Sequence, residues 1–112
     1  MVHVIRLDRR VGSVELAPLF KPYGLSVEVS DLEFGDLAWL GHGPGSRQVG
    51  VTIERKVIDD LIQSWTSGRL SGHQLPGMAE HYDYVYLVVE GLWRPGPNGE
   101  VLAIEQHSGN IR

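Results

Sequence analysis

An α/β domain with a mixed central sheet flanked by helices is predicted by three features of this 112-residue chain. Val49, Val51 and Ile53 alternate with Gly50 and Thr52, the period of a half-buried strand, and this run passes directly into Val57, Ile58, Leu61, Ile62 and Trp65 at the spacing of one helical face. Tyr84 to Val89 is apolar on both faces, the pattern of a central strand covered by helices. Upstream, three further strand-like runs surround one short helical pattern.

The first run is His3 to Leu7, closed by Asp8-Arg9-Arg10. Ser13 then reads as a helix N-cap, Glu15 as a first-turn acid, Leu16, Leu19 and Phe20 as the apolar face, and Gly24 as the stop. Leu25 to Ser30 alternates as a second strand and Leu37 to Leu40 makes a third. Gly41 to Arg47 carries three glycines and a proline and reads as a loop, after which Gln48 to Lys56 forms the fourth strand. A helix is expected from Val57 to about Ser67, stopped by Gly68, with Asp59 and Asp60 in the first turn where the dipole favours carboxylates. The next helical stretch follows Ser71, and Pro76 and Gly77 imply a kink or late start. Leu92 to Ile104 reads as a hairpin turning at Asn98-Gly99.

Length and composition set outer bounds. The chain suits one domain with one core, its 42% apolar and 21% charged residues are those of a globular protein, and no apolar run reaches membrane-spanning length. Arg6 interrupts the amino-terminal run where a signal peptide needs an unbroken apolar segment, so a cytoplasmic or nucleoid-associated, non-secreted protein is expected. Zero cysteines exclude disulfides and thiolate metal sites. A net charge of −4 argues against coating nucleic acid by bulk electrostatics, but Arg9, Arg10, Arg47, Arg55 and Arg69 sit near element ends, where guanidinium groups suit local phosphate contacts.

The chemistry concentrates at Glu54-Arg55-Lys56, where the fourth strand hands over to a helix. Strand side chains alternate, so Glu54 and Lys56 share one face and Arg55 takes the other. A hairpin of strands three and four centred on Gly45 sets Asp36 opposite Glu54, with Cβ atoms ~4.5–5.5 Å apart. Two carboxylates so placed suit one hard divalent cation, and a lysine beside them can orient water or offset charge in phosphodiester hydrolysis. An acid followed by acid-x-lysine on a neighbouring strand is the pattern of restriction-endonuclease-like nucleases. One residue of register slip would destroy the arrangement.

Gly35-Asp36, Glu54-Arg55-Lys56-x-x-x-Asp60 and Gly68-Arg69-Leu70, in that order, resemble the G-D, E-R-K-x-x-x-D and G-R-L signature of the XPF family of structure-selective endonucleases. The likeness extends loosely from Asp8 to Glu90. It implies a restriction-endonuclease-like fold, Mg2+ or Mn2+ as cofactor, branched, flap or forked DNA as substrate, and a homodimer or a related subunit as partner. By the same resemblance Asp36 and Glu54 bind the metal and Lys56 serves the attacking water. Arg55, Asp60 and Arg69 position the site or the DNA backbone, and Asp8 is an accessory carboxylate. Arg10, Arg47 and Gln74 complete the expected DNA contacts.

The chain departs from the family pattern at several points. Where the family's first strand ends D-x-R-E, this chain reads Asp8-Arg9-Arg10-Val11, and Glu15 is the nearest substitute for the missing glutamate. The family glutamine after G-R-L falls one residue late, at Gln74. No tandem helix-hairpin-helix domain fits within 112 residues, and the family's nuclease domain continues with another strand and helix past the region matching Arg112, so a trimmed or minimal nuclease domain is expected. The five histidines lack metal-ligand spacing and are expected on surfaces or loops, while Trp65 and Tyr84 are expected in the core and Trp93 at an interface or against DNA. The rival reading is a non-catalytic family member that binds DNA or a partner subunit.

Overall fold

A computed structural model describes residues 4–104, 106–107 and 110–111. Its centre is a five-stranded sheet in the order β2-β1-β3-β4-β5, formed by β1 (Val4–Asp8), β2 (Ser26–Ser30), β3 (Leu37–His42), β4 (Gln48–Val57) and β5 (Tyr84–Glu90). β1 pairs parallel to β2 and β4 parallel to β5, while β3 runs antiparallel to both of its neighbours. The expected mixed sheet is therefore present, with its strands starting within a residue or two of where the alternation places them. His3, the expected first residue of strand one, lies outside the described residues.

The segment between β1 and β2 is not one continuous helix. It winds as a 3-10 turn (Val14–Leu16), a single α-turn α1 (Ala17–Phe20) and another 3-10 turn (Lys21–Tyr23), ended by Gly24 at φ 69°. Pro18 and Pro22 each enter a first helical turn, where their missing N–H costs nothing. Leu16, Ala17 and Phe20 pack on the buried Ile5, Leu7 and Leu37, which with Leu25, Val27, Trp39 and Ile53 make the main core. Burying a leucine as completely as Leu7 contributes about 1.5–3 kcal/mol.

β4 leads into α2 (Ile58–Thr66), then a π-helical turn (Leu70–Gln74), then α3 (Leu75–His81) with Pro76 in its first turn. This is the crossover that parallel pairing of β4 with β5 requires. Gly68, at φ 78°, closes α2 by donating its N–H to the Trp65 carbonyl. Beyond β5, β6 (Leu92–Pro95) and β7 (Val101–Ile104) form the expected hairpin, and a short pair, β8 (Gln106–His107) with β9 (Asn110–Ile111), follows. No helix among the described residues is long and apolar enough to cross a membrane.

Two burial expectations are corrected. β5 is an edge strand, and Tyr84, Tyr86, Val88 and Val89 are each at least 40% exposed. Trp65 is likewise exposed on α2. Apolar character on both faces does not distinguish a strand sandwiched between helices from one at the rim of a small sheet.

Candidate active site

The β3–β4 ladder pairs Leu37 with Ile53, Ala38 with Thr52 and His42 with Gln48, the register of a hairpin centred on Gly45. The ladder ends at Leu37 and Ile53, one residue short of the expected pairing of Asp36 with Glu54. Asp36 leaves the regular ladder there. Its N–H still donates to the Ile53 carbonyl at 2.8 Å and its carbonyl accepts the Asp8 N–H at 2.9 Å, but its carboxylate takes the place of a main-chain acceptor for the Arg55 N–H at 2.6 Å. The other carboxylate oxygen accepts the Ser13 hydroxyl at 2.6 Å. Asp36 is thus locked by one hydrogen bond on each oxygen.

The preceding glycine makes this possible. Gly35 sits at φ 88°, and a Cβ there would overlap Thr52 Oγ1, which donates to the Leu37 carbonyl at the base of β3. The Gly-Asp pair is therefore a tight approach of one strand end to its neighbour followed by the carboxylate that this approach aims.

Glu54 and Lys56 share one face of β4, with Lys56 Nζ 3.7 Å from Glu54 Oε2 and both side chains at least 86% buried. Burial pushes the Glu54 carboxyl above its ordinary pKa, and the nearby Asp36 charge adds to this, against the opposing pull of Lys56 and Arg10. A carboxylate whose ionisation is opposed by burial and by a neighbouring acidic charge favours a cation beside it. Hard oxygen donors with room for water suit Mg2+ or Mn2+, so the pair fits the metal that the sequence implies.

Asp8 contributes differently. It is 2% exposed, one oxygen accepts the Leu32 N–H at 3.0 Å, and the other is held by Arg10 Nε. Burial opposes its ionisation, but the hydrogen bonds from Arg10 and Leu32 and the charge of Arg10 outweigh this and hold its pKa below the ordinary value. In turn Asp8 raises the Arg10 pKa, with Asp36 and Glu54 adding to the effect. Arg10 therefore supplies positive charge beside the acidic pair, and its Nη2 also reaches the Gly35 carbonyl at 3.4 Å. Among the described residues no group of three or more acidic, histidine or cysteine side chains is placed to hold a metal. Glu15 does not fill the gap left by exposed Val11, because its carboxylate accepts the Gly12 N–H at 2.6 Å on the outer turn.

A cleft of about 120 Å3 opens against Glu54, lined on the sheet side by Arg10 and Gly35 and on the helical side by His73, Gln74 and Met78, with Glu33 and Phe34 at its lip. Gln74 reaches it despite the residue inserted after Gly-Arg-Leu. The i→i+5 winding of the Leu70–Gln74 turn takes up one residue that an α-turn would have converted into a rotation of everything downstream. Gln74 Oε1 is buried and has no hydrogen-bond partner among the described residues. A larger groove of about 620 Å3 runs along Val4, Arg6, Leu40, Gly50 and Tyr82 and contains none of Asp36, Glu54 or Lys56, whereas the smaller cleft is lined by Glu54 but not by Asp36 or Lys56, so Glu54 and not size marks the site.

The remaining expected site residues lie elsewhere. Arg55 points away from Glu54 and clasps the fold, pairing with Glu90 at 2.5 Å and donating to the Gly12 carbonyl at 2.9 Å. The Glu90 hydrogen bond raises its pKa, and its own link to the site is its backbone N–H on Asp36. Asp60 is exposed in the first turn of α2, outside the cleft. Arg69 donates to the buried Ser64 hydroxyl at 2.7 Å, tying the π-turn to α2. Arg47 immediately precedes β4, roughly 23 Å along the chain direction from Glu54. Ser13, Glu33, Phe34 and His73 escaped the sequence reading. Ser13 looks like an N-cap but makes no cap bond, and its partner Asp36 is 23 residues away.

The ERCC4 domain family model matches residues 7–100, which include every group just described at the cleft. The chain is a member of the ERCC4 domain family. Among solved structures this ERCC4 domain is similar to XPF from Aeropyrum pernix, with 27% identity and a TM-score of 0.60 over 80% of this chain and 38% of that one. A second structure of XPF from Aeropyrum pernix, in complex with DNA, gives 27% identity and a TM-score of 0.61 over 80% of this chain and 40% of that one. The ERCC4 domain described here thus spans about two-fifths of the length of those relatives. No curated protein matches it by sequence. The XPF-type nuclease fold, a restriction-endonuclease-like mixed sheet with flanking helices, is the architecture expected from the sequence.

Proposed function

We propose that this ERCC4 domain hydrolyses DNA phosphodiester bonds with Mg2+ or Mn2+, on branched, flap or forked substrates. The observation that carries this reading is the β3–β4 register, whose last pair, Leu37 with Ile53, brings Asp36, locked through the Arg55 N–H, to the end of the strand that carries Glu54 and Lys56. Asp36 and Glu54 would hold the cation, and Lys56 and Arg10 would balance charge on the phosphate and the attacking water. A bound Mg2+ or Mn2+ supplies Lewis-acid polarisation of a phosphoryl oxygen and acidifies its water. Gln74, with a buried acceptor unpaired, is suited to take a hydrogen bond from that water. Asp8 acts by fixing Arg10 and the Leu32 backbone. The substrate shape, and a second copy or related subunit as partner, rest on the family resemblance.

A second reading is favoured by one feature, the Asp8–Arg10 pair beside Val11, which leaves two carboxylates where the family pattern has a further acid. On that reading the domain keeps the fold and binds DNA or a partner subunit without cutting. Cleavage of labelled linear, flap and forked DNA with Mg2+ or Mn2+ separates the two. The nuclease reading expects cutting that Asp36→Ala and Glu54→Ala both abolish. Cutting that survives both substitutions rules it out, and binding without cutting selects the second reading.

A further inference from the structure

The π-turn places two consecutive side chains, His73 and Gln74, on the wall of one cleft. In an α-helix of 3.6 residues per turn neighbours diverge by about 100°, whereas the wider π winding carries more residues per turn and narrows that angle. Gln74 is the half-buried member of the pair. His73 is exposed at the mouth, with its ring braced on Phe34 at a centroid distance of 5.5 Å. Phe34 is braced from its other neighbour by His81, 5.3 Å away, whose Nδ1 lies 2.7 Å from the Gly77 carbonyl. His73 has no hydrogen bond to the protein among the described residues, and a neutral imidazole carries one N–H donor in either tautomer. A held ring with a free donor faces a space of about 120 Å3. Sites for drug-sized ligands run to roughly 300–1,000 Å3, so this one suits a phosphate group better than a nucleoside.

We propose that His73 is a substrate-contacting residue whose ring N–H donates to a non-bridging oxygen of the DNA phosphate seated in the cleft. The proposal rests on the nuclease reading of that cleft. Three variants of the full chain test it: His73→Ala, His73→Gln, which keeps a donor, and His73→Phe, which keeps the packing on Phe34 but has none. Binding of labelled flap DNA is measured by anisotropy in EDTA, and KM and kcat are measured in Mg2+. His73→Ala and His73→Phe are expected to raise Kd and KM by about fivefold, the worth of one hydrogen bond, with kcat little changed, while His73→Gln recovers much of the loss. Equal Kd and KM for wild type and His73→Phe overturn the proposal even if His73→Ala is unstable. Should wild type bind without cutting while His73→Phe binds more weakly, the phosphate contact stands and the hydrolysis reading falls. Wild type that neither binds nor cuts DNA overturns both.

Discussion

Asp36 owes its position to three contacts that use no charged group. Gly35 allows the close approach to Thr52, Ser13 holds one carboxylate oxygen, and the Arg55 backbone holds the other. Gly35→Ala combines a positive φ with a steric overlap, so it is expected to destabilise the fold by more than about 1 kcal/mol and to lower cleavage more than stability alone explains. Thermal unfolding and cleavage rates of the same variant check this. Asp8 gives a pH prediction. Its folded pKa lies below the unfolded value of about 3.9, so its stabilisation is complete above about pH 5 and is lost as pH falls through the lowered folded value. Urea unfolding of wild type should weaken across that acid range, and Asp8→Asn, which has no charge to lose, should flatten that part of the profile.

At the scale of elements, the β3–β4 hairpin was legible because a glycine-rich loop between two alternating runs leaves few registers that keep both apolar sets on one side. Glu54 and Lys56 were legible for the same reason, since strand alternation alone puts them together. Ser13, His73 and the burial of Asp8 were not, because they depend on contacts between segments far apart in the chain. The π-turn left no mark in the sequence beyond the late position of Gln74, since Pro76 and Gly77, which implied a kink or late start, fall in α3. If it exists to absorb one residue, deleting Gly72 should close it to an α-turn and leave α3 in place, with Gln74 still at the cleft. Inserting an alanine after Gly72 has no such outlet and would turn α3, displacing the buried Met78. Circular dichroism, melting temperature and cleavage of the two variants should therefore differ, with the deletion close to wild type and the insertion markedly destabilised.

Across the whole molecule, helices cover the two halves of the sheet unequally. α1 packs over β1 and β3, the α2–α3 segment packs along β4 and β5, and the outer side chains of β5 are left exposed. This is why the most apolar stretch of the sequence misled: an uninterrupted apolar strand at a sheet edge has the same composition as one at its centre. Tyr86→Lys should accordingly change stability by less than about 0.5 kcal/mol, where truncation of a buried aromatic costs about 3–5 kcal/mol. Chemical denaturation distinguishes the two.

The Arg55 clasp has a consequence for the order of folding. One side chain joins Gly12 to Glu90 across sequence separations of 43 and 35 residues, and the same residue's N–H completes the setting of Asp36. Contacts of such span are slow to search for, so the clasp should close after the hairpin and the crossover have formed. Glu90→Gln is then expected to speed unfolding while leaving the refolding rate nearly unchanged, a partition that stopped-flow measurements resolve. A nascent chain would hold Asp36, Glu54 and Lys56 well before it could hold them in place, and the proposed site would be set only once its last sheet strand had emerged.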